Sequence, residues 1–175
     1  LLQDPEIYKM FDSAIRGGMT FINTHHVAAS DVDQLFYVDV NNLYGWALSQ
    51  KLPHEDFKFI SGDEEMCAIL RRCLAGDEFD GEYGYSLEVD MTVPPEHNDK
   101  FDDLPLAPES MCPPGSRVKK LLLTHYDKTN YLVHCRLLSL WMQLGIKVTK
   151  VHRIIEYRQA EIFEDYINTN TEKRA

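Results

Sequence analysis

Apolar residues recur at helical spacing in several stretches of this chain. Asp4-Pro5 is typical of a helix start, and Gly17-Gly18 is typical of a helix end. A second start is predicted at Ser61 or Asp63. The predicted helices cover about residues 5–15, 63–74 and 130–144, with a short one over 43–48 that buries Trp46 and Leu48.

Polar and apolar residues alternate in two further stretches, which predicts β-strands. One covers residues 83–93 with one face exposed, and the other covers 146–157 with a basic face typical of a solvated edge strand. The β-branched and aromatic run 35–38 predicts a buried strand, and 19–23 is its expected partner. This mixture predicts an α+β fold with a mostly antiparallel sheet.

Asp39 follows directly after the predicted strand 35–38. A carboxylate is costly to bury alone, so an Asp here either caps the next turn or binds a metal ion. The string Asp39-Val40-Asn41-Asn42-Leu43-Tyr44-Gly45 resembles motif A of the family B DNA polymerases, whose better-known form is Asp-x-x-Ser-Leu-Tyr-Pro. Asn42 replaces the Ser and Gly45 replaces the Pro, which resembles the branch carried by large self-synthesising DNA transposons of the Maverick or Polinton type.

This resemblance implies a role for each residue of the motif. Asp39 is expected to be the catalytic residue and to bind two Mg²⁺ ions, which prefer hard oxygen ligands. The main chain at Val40, Asn42 and Leu43 is expected to contact the incoming deoxynucleoside triphosphate. Tyr44 is expected to pack under the sugar and exclude a ribose 2′-hydroxyl, whereas most Tyr residues beside an apolar run fill core space.

Ile15-Arg16-Gly17-Gly18 lies about 20 residues before Asp39. Besides ending a helix, it resembles the Tyr-x-Gly-Gly segment of protein-primed family B polymerases, which holds the primer-template DNA. The resemblance implies that Arg16, Gly17 and Gly18 bind DNA, with Arg16 on a phosphate and Ile15 in place of the Tyr. Residues 102–109 and 146–167 are also similar to polymerases of this group.

The charge of the chain is unevenly distributed. Residues 1–116 carry 7 basic and 22 acidic side chains, whereas residues 117–175 carry 11 and 6, which gives −10 overall. Because binding to duplex DNA requires cations on phosphates, phosphate contacts are expected mainly from the last third of the chain, or from parts of a longer parent protein that are not present here.

Two groups of possible metal ligands have unsuitable spacing. His25-His26 is a poor chelate, because adjacent side chains of an extended segment point to opposite faces. The four cysteines show no zinc spacing and are interpreted as reduced, mostly buried thiols of an intracellular protein. The sequence shows no membrane span and no signal peptide.

The resemblance covers nearly the whole chain and implies a division into three parts. Residues 1–50 correspond to part of the polymerase palm, 51–160 to the insertion called the first terminal-protein region, and 161–175 to the start of the fingers. The expected partners are primer-template DNA, a deoxynucleoside triphosphate and a terminal priming protein, and the expected location is the nucleus or the site of viral or element replication.

We expect this chain to be a piece of a longer protein that is inactive by itself. In the family the second catalytic Asp lies in an Asp-Thr-Asp hairpin beyond the fingers, and no such motif occurs in these 175 residues. Asp90 is therefore not expected to join Asp39 in a metal site.

Two other functions are alternatives to DNA synthesis. A non-catalytic polymerase remnant that docks protein or DNA would also keep these motifs. A nuclease would need three or four clustered carboxylates, which this sequence does not supply.

Overall fold

A computed structural model of the chain describes residues 2–17, 22 and 24–174, which divide into two compact units. Unit 1 comprises Leu1–Met19 and Pro53–Gln159, and unit 2 comprises Thr20–Leu52 and Ala160–Ala175. The helices are α1 (Pro5–Ser13), α2 (Leu43–Leu48), α3 (Asp63–Leu74), α4 (Asn98–Phe101), α5 (Cys135–Leu144) and α6 (Glu164–Glu172). The strands are β1 (Leu52–Phe59), β2 (Tyr83–Thr92), β3 (Glu109–Met111), β4 (Lys120–Leu122), β5 (Lys128–His134) and β6 (Lys147–Ala160). The predicted α+β class is confirmed.

Unit 1 contains a four-stranded sheet with the strand order β1-β6-β2-β5. Strand β2 pairs antiparallel with both neighbours, so that Leu87 lies opposite Val133 on β5 and opposite Ile154 on β6. Strands β3 and β4 form a separate antiparallel pair. Because β2 and β6 lie inside the sheet, their backbone groups are paired on both sides.

The sheet of unit 1 is covered on both faces. One face packs against α3 and α5 in the main core, to which Leu87, Val133 and Ile154 belong. The other face packs against α1, where Ile7 and Tyr157 belong to a second, smaller core. Alternate residues of a strand point to opposite faces, so β5 and β6 each contribute residues to both cores.

Helix α1 begins and ends close to where the sequence predicts. The Asp4 carboxylate accepts hydrogen bonds from the backbone N–H groups of Glu6 (2.7 Å) and Ile7 (3.2 Å), which confirms the cap. The helix ends at Ser13, and Ile15 is exposed instead of lying on the buried face. Helix α3 also has the predicted bounds, although neither predicted residue caps it: Gly62 occupies that position.

The predicted helix 130–144 is wrong over its first part, where the chain forms β5. Tyr131 and Val133 enter the main core, whereas Leu132 enters the core beneath α1. A strand that is covered on both faces has a continuous run of apolar residues in its sequence. The spacing of apolar residues alone does not distinguish such a strand from a buried helix.

The prediction of exposed polar faces on β2 and β6 holds only for the start of β6, where Lys147 and Lys150 are exposed. The polar side chains of β2 have partners on β6: Glu88 bonds Arg153 (2.7 Å) and Asp90 bonds His152 (2.7 Å). Arg153 also forms an ion pair with Glu6 of α1. Strand β6 is therefore an interior strand with ion-paired basic residues, and not a solvated edge.

Unit 2 contains α2 and α6, which contact each other. Residues 33–40 form neither helix nor strand, and Phe36 and Tyr37 are 80% and 98% exposed. The predicted buried strand 35–38 is thus wrong, as is the predicted burial of Trp46 and Leu48, which are exposed. A strand needs a neighbour for its backbone hydrogen bonds, and the described residues between 22 and 51 form none. Its expected partner, 19–23, lies outside the described residues except for Ile22.

Candidate functional site

The residues of the motif around Asp39 lie together on the surface of unit 2. They line an open concavity of about 500 Å³, whose lining residues are Val38, Asp39, Val40, Asn42, Leu43 and Tyr44. The structure thus brings all five predicted catalytic and substrate-binding residues into one place. They are nearly consecutive in the sequence, so the local course of the chain is sufficient to gather them.

Asn42 fixes the turn that leads into α2. Its backbone is left-handed (φ 54°, ψ 44°), a conformation that Asn tolerates better than most residues, and its carbonyl accepts the first helical hydrogen bond from Trp46 N (3.0 Å). The Asn42 side chain lies against the buried Gly45. A Cβ atom at position 45 would lie 2.2 Å from Asn42 Nδ2, so any other residue there would require the Asn42 side chain to move.

Asp39 and Tyr44 are both exposed at this concavity. The Tyr44 side chain is 89% exposed, which does not fit the alternative role of a core aromatic. Asp39 is the single carboxylate among the described lining residues, and the described part of the chain contains no group of three or more His, Cys, Asp or Glu that could hold a metal ion. A magnesium ion can bind through one or two carboxylates together with water and substrate phosphates, so Asp39 fits one ligand position.

Arg16 and Gly17, two of the three residues expected to bind DNA, lie in unit 1. The Arg16 guanidinium stacks over the Tyr131 ring, 3.8 Å from its centroid, and donates hydrogen bonds to the carbonyl oxygens of Ala14 and Leu132 (both 3.1 Å). Gly17 is exposed, and the position of its missing Cβ is open space. Gly18 lies outside the described residues. The contacts of Arg16 stabilise unit 1, and its role in binding DNA stays a prediction.

A second cavity, of about 380 Å³, lies in unit 1 and has no counterpart among the sequence predictions. Its polar lining includes His134, Ser86 and Tyr157, whose hydroxyl lies 3.2 Å from Ser86 Oγ. Burial lowers the pKa of His134 to about 4 and raises that of Tyr157. No motif marks these residues, because strand pairing brings them together from distant parts of the sequence.

The cysteines are free thiols, as the sequence predicts. Cys73 and Cys135 are buried, and burial raises their pKa values to about 12 and about 11. Cys67 and Cys112 are exposed, so the expectation of mostly buried thiols holds for half of them. The two buried thiols are protonated packing residues at neutral pH and have no nucleophilic character.

The Asp90 carboxylate accepts hydrogen bonds from two other residues of unit 1. Its Oδ1 accepts hydrogen bonds from Asn130 N (2.8 Å) and from His152 Nε2 (2.7 Å), and these two bonds lower its pKa. This carboxylate is therefore held in the sheet, and the expectation that it is not the partner of Asp39 stays a prediction.

Comparison with family models assigns the chain to the DNA polymerases. The matching model is that of DNA polymerase type B, organellar and viral, and it covers residues 2–175. Because the match extends over nearly the whole chain, the chain belongs to this family. No curated protein and no solved structure matches it.

Membership of this family defines the general chemistry of the parent enzyme. A DNA polymerase is a nucleotidyltransferase that acts on DNA and deoxynucleoside triphosphates, and family B enzymes generally use Mg²⁺.

Among the described residues, no helix is both long enough and apolar enough to cross a membrane.

Proposed function

We propose that this chain supplies the nucleotide-binding part of the active site of a protein-primed family B DNA polymerase. The observation that carries the proposal is the exposed concavity, at which Asp39, Asn42 and Tyr44 meet. The family membership supports the proposal, because a DNA polymerase needs a site for a deoxynucleoside triphosphate.

Each residue of the concavity has a distinct task in this proposal. Asp39 supplies a carboxylate ligand to the catalytic magnesium ions, which, when bound, neutralise the triphosphate and orient the primer hydroxyl. The turn at Asn42 directs the main chain of Val40, Asn42 and Leu43 toward the triphosphate. The Tyr44 ring faces the sugar and leaves no room for a 2′-hydroxyl.

The remaining parts of the chain are proposed to hold the DNA and the priming protein. Residues 1–50 contribute to the palm, with Arg16, Gly17 and Gly18 on the primer-template. Residues 51–160 form the first terminal-protein region, and 161–175 begin the fingers. The enzyme is of the transposon, viral or linear-plasmid type and acts in the nucleus or wherever that element is replicated.

Substitution of Asp39 in the full-length polymerase tests the proposal. Asp39→Ala should reduce primer extension by at least about a thousandfold, because loss of a metal ligand removes several kcal/mol of transition-state stabilisation. Asp31→Ala is the matched control, because Asp31 is an exposed carboxylate of the same unit. Circular dichroism should show that both variants are folded.

Near-normal extension by Asp39→Ala, in a preparation free of contaminating polymerase, would refute the proposal. A wild-type parent that is folded and binds DNA but extends no primer would identify the non-catalytic remnant instead. The isolated 175 residues should extend nothing, because their concavity offers only one carboxylate among its described lining residues.

Tyr44→Val tests the proposed discrimination between sugars. Removal of the ring should raise the incorporation of ribonucleotides relative to deoxyribonucleotides by about tenfold or more, because a steric exclusion is removed. Tyr44→Phe keeps the ring and should behave like the wild type, and Tyr37→Val is a control at another exposed Tyr. Single-nucleotide extension measures the ratio, and unchanged discrimination in an active Tyr44→Val enzyme would contradict this role.

A further inference from the structure

The hairpin formed by β3 and β4 presents a tightly turned loop at residues 112–119. The two strands pair antiparallel, with Glu109 opposite Leu122 and Met111 opposite Lys120. Within the loop, Ser116 N donates to Pro113 O (3.0 Å), and Ser116 Oγ accepts from Val118 N (3.1 Å). Two adjacent prolines precede a Gly with φ +77°, which restricts the backbone further.

Three cations stand at the end of this loop, at Arg117, Lys119 and Lys120, which we call the basic hairpin. All three are exposed, and none of their side chains has an ion pair or hydrogen bond within the described part of the chain. Nowhere else in the sequence do three basic residues occur within four positions. The density of positive charge is therefore specific to this hairpin.

The absence of counter-charge at the basic hairpin contrasts with six cations elsewhere in unit 1 that have an acidic partner. Over the whole chain, acidic residues outnumber basic ones by 28 to 18. The six pairs are Lys58–Glu156, Arg72–Asp77, Lys128–Glu109, Lys147–Glu96, Arg153–Glu88 and Arg158–Glu82. In a chain with this excess of carboxylates, three adjacent cations without an acidic partner are available for an anion from outside the chain.

The only carboxylate on the hairpin itself is already neutralised. Glu109 lies 2.9 Å from Lys128 Nζ, and the Lys128 side chain is only 2% exposed. Lys128 also donates to Thr124 Oγ1 (2.9 Å) and Thr124 O (3.2 Å), so its position is fixed. The Glu109 carboxylate is thereby held by a buried cation and does not compete for the basic hairpin.

We propose that the basic hairpin binds the phosphate backbone of the DNA on which the polymerase acts. A guanidinium binds phosphate oxygens in bidentate fashion, and two Lys ammonium groups add point charges on long, adaptable side chains. The proposal rests on the proposed polymerase function, because a polymerase binds DNA, and DNA is a polyanion. The contact gives affinity without reading sequence, because phosphates are the same at every base pair.

Salt-dependent DNA binding by the full-length polymerase tests this proposal. Fluorescence anisotropy with a labelled primer-template measures the slope of log K against log salt for the wild type and for the triple variant R117Q/K119Q/K120Q. The slope should become shallower by about 2 to 3, and affinity should fall by about a hundredfold at about 0.1 M salt, because about one counterion is released per phosphate contact. R117K/K119R/K120R keeps the charges and should restore the wild-type slope.

A matched control separates a local contact from a general effect of charge. The control variant K9Q/R71Q/K173Q removes one Arg and two Lys that are also exposed and have no ion pair among the described residues. Its slope should change by less than about 1. Equal losses in the two triple variants, or an unchanged slope in the hairpin variant with a wild-type unfolding midpoint, would overturn the proposal.

Two further measurements distinguish the other outcomes. If the hairpin variant loses affinity for polyglutamate but not for DNA, the hairpin serves an acidic protein and the proposal fails. Asp39→Ala leaves the basic hairpin intact and should keep the wild-type salt slope. If the wild-type polymerase is folded but extends no primer, and the hairpin variant still has a shallower salt slope, the DNA contact is supported and the catalytic proposal is refuted. If the wild type extends primers normally and the hairpin variant keeps the wild-type salt slope, the catalytic proposal is supported and the DNA contact is refuted.

Discussion

His134 should make unit 1 less stable as the pH falls. Its Nδ1 accepts the backbone hydrogen bond of Arg136 (3.2 Å) at the start of α5, which requires an unprotonated nitrogen. Burial, together with the charge of Arg136, lowers the pKa of His134 from 6.5 to about 4. Because the folded pKa lies below the unfolded value, protons bind the unfolded chain first as the pH is lowered.

The size of this effect follows from the two pKa values of His134. The stabilisation is complete above pH 6.5 and is lost as the pH falls from there to about 4, below which both states are protonated. The full difference corresponds to about 3 kcal/mol, of which roughly 2 kcal/mol is lost by about pH 5. This is a large fraction of the stability of a small domain.

Urea unfolding at about pH 7.5 and about pH 5 measures this contribution. His134→Asn removes the titrating ring but keeps a side-chain oxygen that can accept from Arg136 N, and Asn is a favourable N-cap. The wild type should lose about 2 kcal/mol more between the two pH values than His134→Asn. His26→Asn, which removes an exposed imidazole of unit 2, should behave like the wild type. Equal pH dependence in the wild type and His134→Asn would refute the reasoning.

Two further predictions concern the stability of unit 1. Gly84→Ala should lower the free energy of unfolding by about 1–3 kcal/mol. The reason is that the new Cβ would lie 2.4 Å from Gln159 Oε1 and 2.5 Å from Tyr157 Cε2. An unchanged midpoint of urea unfolding would contradict this close packing. Asp4→Ala should cost about 1 kcal/mol through loss of the α1 cap, whereas Asp4→Asn should retain most of it, and thermal unfolding should rank the three proteins accordingly.

The sequence was most informative where the signal is local. Asp4-Pro5 marks the start of α1 by itself, and α3 follows from apolar residues at helical spacing. The predicted catalytic and substrate-binding residues share one concavity because they are near neighbours in the chain; they are Asp39, Val40, Asn42, Leu43 and Tyr44. No knowledge of the tertiary structure is needed for these predictions.

Features that depend on tertiary structure were predicted wrongly or missed. The sequence predicts a helix start where β5 forms, because cover on both faces removes the alternation that identifies a strand. It predicts an edge strand where β6 forms, because the basic residues of β6 do not reveal which carboxylates lie opposite them. The cavity at His134 depends on Ser86 and Tyr157, which strand pairing alone brings near it.

The contact between Asn42 and Gly45 constrains the order in which this motif can evolve. An ancestor or descendant with the better-known Ser and Pro at these positions differs by two substitutions. Replacing Gly45 first forces its Cβ against the Asn42 amide, 2.2 Å away. Replacing Asn42 by Ser first removes that amide and costs only part of the preference for a left-handed turn. Substitution at position 42 before position 45 therefore avoids a step in which the Asn42 side chain has to move.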